Sequence, residues 1–518
     1  VKTAFPMVVA ECLAVDWQQV TVEQAPLDDR YGRQAIGGSR GTPDGWDDLR
    51  IAGTGALYLL THAAAAQWGV SAAECTARSG VIHHEASGRT APYQTLLDAA
   101  ADVPVPDVSA LKLKSRPEEF KLLGTFVPGV DNPKILTGQP LFGCDVRKEG
   151  MLYAQYVKCP VFGGKVRKAN VDTVAGLPGI THAFVVEGTD DLSGLMPGVA
   201  LVGETWWAVN SAREKLQVDW ATTHSDSSEG FAAEAKRLSG MSGAVQRQDG
   251  DVDAALDAAE KIVEASYYYP FVSHCNLEPQ VATALYHESG RLEMWAPTQN
   301  PRGARGLIAR TLGMPEENIH IELERIGGGF GRRLTHDYMV ETAWIARVVK
   351  KPVQLQWTRE DDLQHDHYRP AAWHHFRAGI GSDGRMSAFD HHFITFGRNG
   401  KTVSGAGVSP RHYPAGLVPN FRLRQSIIDC NVPTGPWRSP GHSAYCWAYQ
   451  SFFDEVALAA ERDQLAFRLD LLSKAYGEPP LDLARTAVTL RKAAEAAGCG
   501  RDPGPNRGLG LAFHFDHG

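Results

Sequence analysis

The sequence predicts a multidomain α+β protein, and three observations predict it. At 518 residues the chain is too long for one hydrophobic core, because cores stop growing at about 250–300 residues. From about residue 260 onward, strand-like and helix-like stretches alternate. Two glycine clusters, at 37–41 and 327–331, flank an α+β segment, which suggests two related ligand-holding halves.

The elements follow in order. Residues 1–105 open with an apolar segment, Phe5–Cys12, and a β-rich stretch, Val20–Val22. The cluster Gly37-Gly38-Ser39-Arg40-Gly41 precedes a helix over Trp46–Trp68, where Leu49, Ala52, Ala56, Leu59 and Leu60 recur at helical spacing and Gly69 suits a C-terminal cap. Residues 106–118 carry Pro and Lys and read as a linker into an α+β segment that ends near 220. In it, Met151–Val157 and Ala183–Val186 read as strands, and 171–179 as a short helix ending in a turn. Residues 222–250 are polar and read as a surface loop. In 221–395, Lys261–Ala265, Ala282–Tyr286, Ile319–Ile326, Val353–Trp357 and Met386–Phe396 read as strands. Arg302–Leu312 and Met339–Val349 read as helices. In 396–518, Tyr449–Ala460 and Leu465–Leu472 are helical.

Composition narrows the function. The net charge is -8, with no long stretch of one sign, so no nucleic-acid partner is expected. The apolar run through Gly55–Leu60 and Ala63–Ala66 is broken by Thr61 and His62 and falls short of the about 20 residues a membrane helix needs. Val1 is not a start methionine, so a piece of a longer chain is expected, with any targeting segment out of view. The eight cysteines include no C-x-x-C pair, which argues against an iron–sulfur cluster or structural zinc on this chain. Electron carriers of a redox enzyme would then sit on another chain.

The sharpest local feature is Arg325-Ile326-Gly327-Gly328-Gly329-Phe330-Gly331-Arg332-Arg333, after a strand that alternates apolar and polar residues. Glycines let the backbone approach a ligand and turn N–H groups toward an anion, and two arginines add fork-like donors. A tight turn with a solvated arginine pair is the equally weighted alternative. Gly53-x-Gly55 lies inside a helix-like run and lacks the third glycine of a dinucleotide loop. His365, His367, His374, His375, His391 and His392 lack the companion ligands of a recognised metal site and read as a polar strand surface; no metal ligand is assigned. Gly441-His442-Ser443-Ala444-Tyr445 lacks the closing glycine of a nucleophile elbow. Trp437-Arg438-Ser439-Pro440-Gly441, after Pro433-Thr434-Gly435-Pro436, is either a packed loop or an anion clamp.

Together these segments resemble the large, molybdopterin-binding subunit of the xanthine oxidase superfamily, and within it the isoquinoline 1-oxidoreductase / membrane-bound aldehyde dehydrogenase group. The resemblance rests on Met294–Pro301 with Gly327–Gly331, on His274-Cys275-Asn276-Leu277-Glu278-Pro279, on 435–441 with Phe452-Phe453-Asp454-Glu455, on Arg468–Leu472, and on Phe5-Pro6-Met7 with 37–40. It implies an α/β hammerhead domain over 106–220. Molybdopterin-binding regions would occupy 1–105 (truncated at its start), 221–395, and 396–518 (incomplete at its end). It implies molybdopterin cytosine dinucleotide as cofactor. Gly328, Gly329, Phe330, Gly331 and Arg332 would lie beside the metal, Arg438 would support it from the other side, and Gly37, Gly38, Ser39 and Arg40 would hold pterin or phosphates. The implied activity is oxidation of N-heterocyclic aromatics or aldehydes with oxygen from water. Electrons would pass to [2Fe–2S] clusters on a small partner subunit, and some relatives add a cytochrome c subunit. The resemblance leans to the periplasmic side or a membrane-associated complex, with the cytoplasm as alternative. The competing reading is a non-catalytic cofactor-binding or maturation protein.

Two departures matter. The family's G-x-G-E block, which carries its catalytic glutamate, is not found in residues 1–518, so that base is expected beyond Gly518. The substrate pocket also differs from that of purine oxidisers. Leu334 stands where they carry a glutamate, and Pro440 where they carry one stacking aromatic. Phe513 corresponds to the second aromatic, and the orienting arginine falls near Tyr368 or Arg369. A less polar substrate is expected, such as a quinoline-like ring or an aldehyde.

Overall fold

Helix Gly41–Trp68 dominates the first 145 residues. Its alanine-rich face, with Leu60, Ala63 and Ala64, packs on Ile82, Ala91, Leu96 and Ala100 from a small three-stranded sheet and the helix behind it. The helix stops at Gly69, which is left-handed and donates its N–H back to the last turn. Phe5–Cys12 lies in a second helix, Ala4–Leu13. At Gly53 the two helices meet, and a Cβ there would sit 2.8 Å from Cys12 Cβ and 2.9 Å from the Val9 carbonyl oxygen. Gly53 is thus a packing glycine rather than part of a nucleotide loop. The strand expected at 20–22 is absent; a 3₁₀ turn, Trp17–Gln19, leads into irregular chain. Glu11 is buried, accepts from the backbone N–H of Lys121, Leu122 and Leu123 and pairs with Lys114.

The computed structural model describes residues 1–222 and 226–515, which form two compact units, 1–145 and 146–518. The expected 106–220 segment therefore contributes residues 106–145 to the first unit and 146–220 to the second. Among the described residues no helix is long and apolar enough to cross a membrane.

The second unit contains two large sheets. One has seven strands in the order 319–323, 292–296, 281–286, 353–356, 152–158, 198–203, 180–186. The other has the path 261–269, 372–380, 386–398, 420–429, 244–249, with 401–402 beside 386–398. Most of the strands and helices expected after residue 150 form, several of them one to six residues longer than their patterns suggested. The stretch 222–250 differs. Thr223, His224 and Ser225 lie outside the described residues, but Ser228–Ser239 is a helix and Ala244–Asp249 a strand. The helix shows only a thin apolar stripe, Phe231, Ala235 and Leu238, laid on Ile394, Phe396 and Ile428 of the sheet. The strand is polar because it forms the sheet's edge.

The histidines also differ from expectation. His365, His367, His374, His391 and His392 are buried. The central strand Met386–Arg398 is covered on both faces, so the alternation that suggested a wet surface carries no such meaning here.

Two connectors join the sheets. Residues 270–280 run from strand 261–269 to strand 281–286, and residues 357–371 return from strand 353–356 to strand 372–380. They bridge at Val272 and Arg369. The candidate site is built on them.

Candidate functional site

The glycine loop leaves strand Ile319–Leu323 at an edge of the seven-stranded sheet. Gly328, Phe330 and Gly331 take positive φ of 109°, 53° and 110°. That is free for glycine and costs about 1–3 kcal/mol at Phe330, so the surroundings must hold the loop. They do so from beneath. Gly327 N–H donates to Glu278 Oε2 (3.0 Å) while Glu278 N–H donates to the Gly327 carbonyl (3.0 Å). Arg333 donates to the carbonyls of Gly328 (2.9 Å) and Pro297 (3.2 Å) and to Glu278 Oε2 (3.0 Å). Gly331 N–H donates to Gln299 Oε1 (3.0 Å).

The arginine pair is neither solvated nor offered as a free fork. Arg332 is buried and forms a bidentate pair with Asp337 (2.9 Å each), while its Nε meets Asp366 Oδ1 at 2.9 Å. The donors left toward a ligand are backbone N–H groups of 328–330, not these guanidinium groups. Burial alone would raise Asp366, but the His274 hydrogen bond and the Arg332 charge hold it at about 2. Asp337 is lowered in the same way, with Arg332 outweighing burial. Deeper still, Lys158 Nζ donates to Glu341 Oε1 (2.7 Å) and Trp357 Nε1 to Glu341 Oε2 (2.9 Å). Burial, assisted by the nearby Asp337 charge, lifts Glu341 to about 7 against the pull of Lys158.

The 433–441 turn comes from the other sheet, between strand Asn420–Asp429 and helix His442–Ala459. It meets the glycine loop directly. Arg438 N–H donates to the Phe330 carbonyl at 2.6 Å. A Cβ on Gly331 would fall 1.6 Å from the Pro436 carbonyl oxygen, so no other residue fits there. Ser439 and Gly441 have positive φ, 56° and 75°. The Arg438 side chain is exposed. Tyr368 runs beside the same turn: its N–H donates to the Pro433 carbonyl (3.0 Å) and its carbonyl accepts from Gly435 (3.1 Å). Its hydroxyl is taken by the Leu363 carbonyl at 2.8 Å.

The structure thus brings together Gly328, Gly329, Phe330, Gly331, Arg438 and Tyr368. Leu334 is half-buried at the end of the loop and Pro440 is exposed on the turn. The Phe513 ring packs edge-on against Tyr413 (5.0 Å between centroids), while its neighbour His514 reaches Ser439 Oγ at 3.4 Å. Gly37, Gly38, Ser39 and Arg40 belong to the first unit. There Gly38 and Ser39 form an exposed left-handed turn (φ 60° and 54°) before helix Gly41–Trp68, and Arg40 Nε donates to Asp44 (2.8 Å). Sequence reasoning assigned no role to His274, Glu278, Asp337 or Asp366. His274 and Glu278 were visible as a motif; the two aspartates had no local signal.

Residues 237–471 match the molybdopterin cofactor-binding domain. The chain is 29% identical to isoquinoline 1-oxidoreductase subunit beta of Brevundimonas diminuta, over 99% of this chain and 71% of that one. It is 26% identical to a membrane-bound aldehyde dehydrogenase of Gluconacetobacter polyoxogenes, over 99% and 70%. The chain carries this domain and is similar over nearly its whole length to molybdopterin-binding large subunits of the xanthine oxidase family. Its fold is like that of quinoline 2-oxidoreductase from Pseudomonas putida 86 (TM-score 0.58, 18% identity, 72% of this chain and 54% of that one). It is also like that of the aldehyde oxidoreductase of Desulfovibrio gigas (TM-score 0.58, 18% identity, 79% and 51%). The chain spans about half the length of those solved structures.

The residues present fit a family-type cofactor. Among the described residues, the buried Asn276 amide and the Trp437 indole N–H have no hydrogen-bond partner, although buried polar groups are almost always paired. Asn276 lies beside Gly328, where a Cβ would come within 3.5 Å of its Cα, and Trp437 is on the facing turn. Unmet donors and acceptors at Asn276 and Trp437, with the exposed Arg438 next to Trp437, suit a polar, anionic ligand.

Proposed function

We propose that this chain is the cofactor-binding large subunit of a molybdenum hydroxylase that oxidises N-heterocyclic aromatics or aldehydes with water as oxygen source. The observation that carries the reading is the closure of the glycine loop on the 433–441 turn through Arg438 N–H and the Phe330 carbonyl. When bound, the cofactor supplies two-electron oxidation of an electron-poor carbon. The backbone of Gly328–Gly331 borders it on one side, Asn276 and Trp437 offer hydrogen bonds, and Arg438 offsets its negative charge. The form proposed for the cofactor is the cytosine dinucleotide. Leu334 and Pro440 give the substrate an apolar wall. Tyr368 adds its ring but no free hydroxyl, since Leu363 takes that proton. Relatives named for isoquinoline and aldehyde oxidation support this substrate class. Glu278 and Glu341 are tied to Arg333 and Lys158, so neither is offered as the general base. The partners are a small [2Fe–2S] subunit and a cytochrome c subunit, and the complex works on the periplasmic side.

The test is metal and nucleotide analysis of the purified complex, followed by dye reduction. The expected result is about one molybdenum and one releasable cytidine monophosphate per chain, with quinoline or an aliphatic aldehyde reducing the dye. Xanthine turnover at a matching rate would overturn the substrate class. Full molybdenum without dye reduction by any of these favours the non-catalytic reading, and nucleotide without molybdenum rejects the assignment.

A further inference from the structure

His274 sits where four separate pieces of the second unit meet. Its Nδ1 lies 3.0 Å from Asp366 Oδ1, and its Nε2 lies 3.1 Å from the Pro436 carbonyl oxygen. A carbonyl can only accept, so Nε2 is the donor of the contact to Pro436. Asp366 is otherwise fully engaged. It accepts from the His274 backbone N–H (2.5 Å), Ser273 Oγ (2.7 Å) and the His367 N–H (2.7 Å), and it faces Arg332 Nε at 2.9 Å. The carboxylate therefore joins both connectors to the glycine loop, and His274 extends that junction to Pro436, next to the Tyr368 bonds at Pro433 and Gly435. The point it grips is the carbonyl that fills the missing Cβ space of Gly331, and that space lies 3.4 Å from His274 Nε2.

We propose that His274, oriented by Asp366, is a positioning residue that fixes the 433–441 turn against the glycine loop and so sets how closely the two segments meet. Without the Nε2 donor, the turn loses its tie at Pro436 and keeps Arg438 N–H on the Phe330 carbonyl and the Tyr368 backbone bonds at Pro433 and Gly435. The strained residues on both sides, Phe330 and Ser439, then have an easier way to relax. That the two segments face the cofactor and substrate rests on the function proposed above.

The two ring contacts can be separated by substitution. In His274→Gln the amide nitrogen falls near the place of Nε2 and keeps the contact to Pro436. In His274→Asn it falls near Nδ1 and keeps only the contact to Asp366. Backbone amide exchange of the purified complex is the first readout. The expected result is that His274→Asn speeds exchange across 433–441 by about tenfold, while His274→Gln stays within about twofold of the wild type. With substrate, His274→Asn lowers kcat by about tenfold with a smaller change in KM, as loss of alignment does, and His274→Gln restores most of it. Equal exchange at 433–441 in both variants and the wild type overturns the proposal. So does equal acceleration over the whole unit in both variants, which marks a role in folding only. If the exchange difference appears but no molybdenum is found, the positioning role stands and the functional reading falls.

Discussion

Beneath the glycine loop the buried polar groups are matched acid to base: Lys158 with Glu341, Arg332 with Asp337 and Asp366, Arg333 with Glu278. In the aromatic core of the six-stranded sheet one row of them is neutral. Tyr269 OH, His374 and His391 follow one another at 3.2 and 3.0 Å, and Tyr449 OH closes the row at 2.9 Å from His391. Among the described residues no carboxylate pairs with either ring, and burial pushes both imidazoles well below their ordinary range. One cluster persists because each charge has an opposite, the other because no member carries charge. The first gives fixed geometry around a loop whose backbone is strained. The second is packing with hydrogen bonds.

Breaking the charged cluster has the largest effect expected. Lys158→Met leaves Glu341 buried beside Asp337 without its cation and destabilises the protein by about 3–5 kcal/mol, read from the urea midpoint. In the neutral row the loss is smaller. His391→Leu leaves Tyr449 OH and one nitrogen of His374 unpaired, which costs about 2 kcal/mol at pH 8. That deficit depends on pH. A histidine whose folded pKa is depressed adds stability that is full above its unfolded value and is lost as pH falls. The wild type therefore loses about 1.4 kcal/mol per pH unit for this ring below about pH 6.5, and His391→Leu escapes that loss. A deficit unchanged between pH 8 and 5 would mean that the row is not neutral. The smallest change sharpens the contrast. Adding Glu341→Gln to Lys158→Met removes the stranded charge, and the double variant lies within about 1 kcal/mol of the wild type. A double variant as unstable as the single one would show that the pair is not an isolated charge balance.

Most of the α+β alternation was legible because strand and helix periods leave a local trace. The glycine loop and the Gly435–Gly441 turn were legible for the same reason, since positive φ selects glycine and the glycines stand out in the sequence. The partners of the arginines were not legible. Arg332 looks the same in sequence whether solvated or buried, and what decides is Asp366, which arrives from a different connector. The histidines misled because alternation marks a wet face only when one side of a sheet is open. The stretch 228–239 misled because a helix against a flat sheet buries few residues, and Phe231, Ala235 and Leu238 are too sparse to notice. Leu334 and Pro440 were legible as substitutions, but their exposure depends on a turn set by chain far away.

The closures at the site join residues distant in the chain. His274 and Asp366 are 92 positions apart, His274 and Pro436 162, and Lys158 and Glu341 183. During synthesis the glycine loop emerges, at about 5–20 residues per second, well before the turn that completes it. Until Pro436 and Arg438 follow, His274 Nε2 and the Phe330 carbonyl have nothing to bind, and the Phe330 backbone has less reason to hold its costly conformation. The junction is thus a late product of folding, made only after long-range pairing of both sheets.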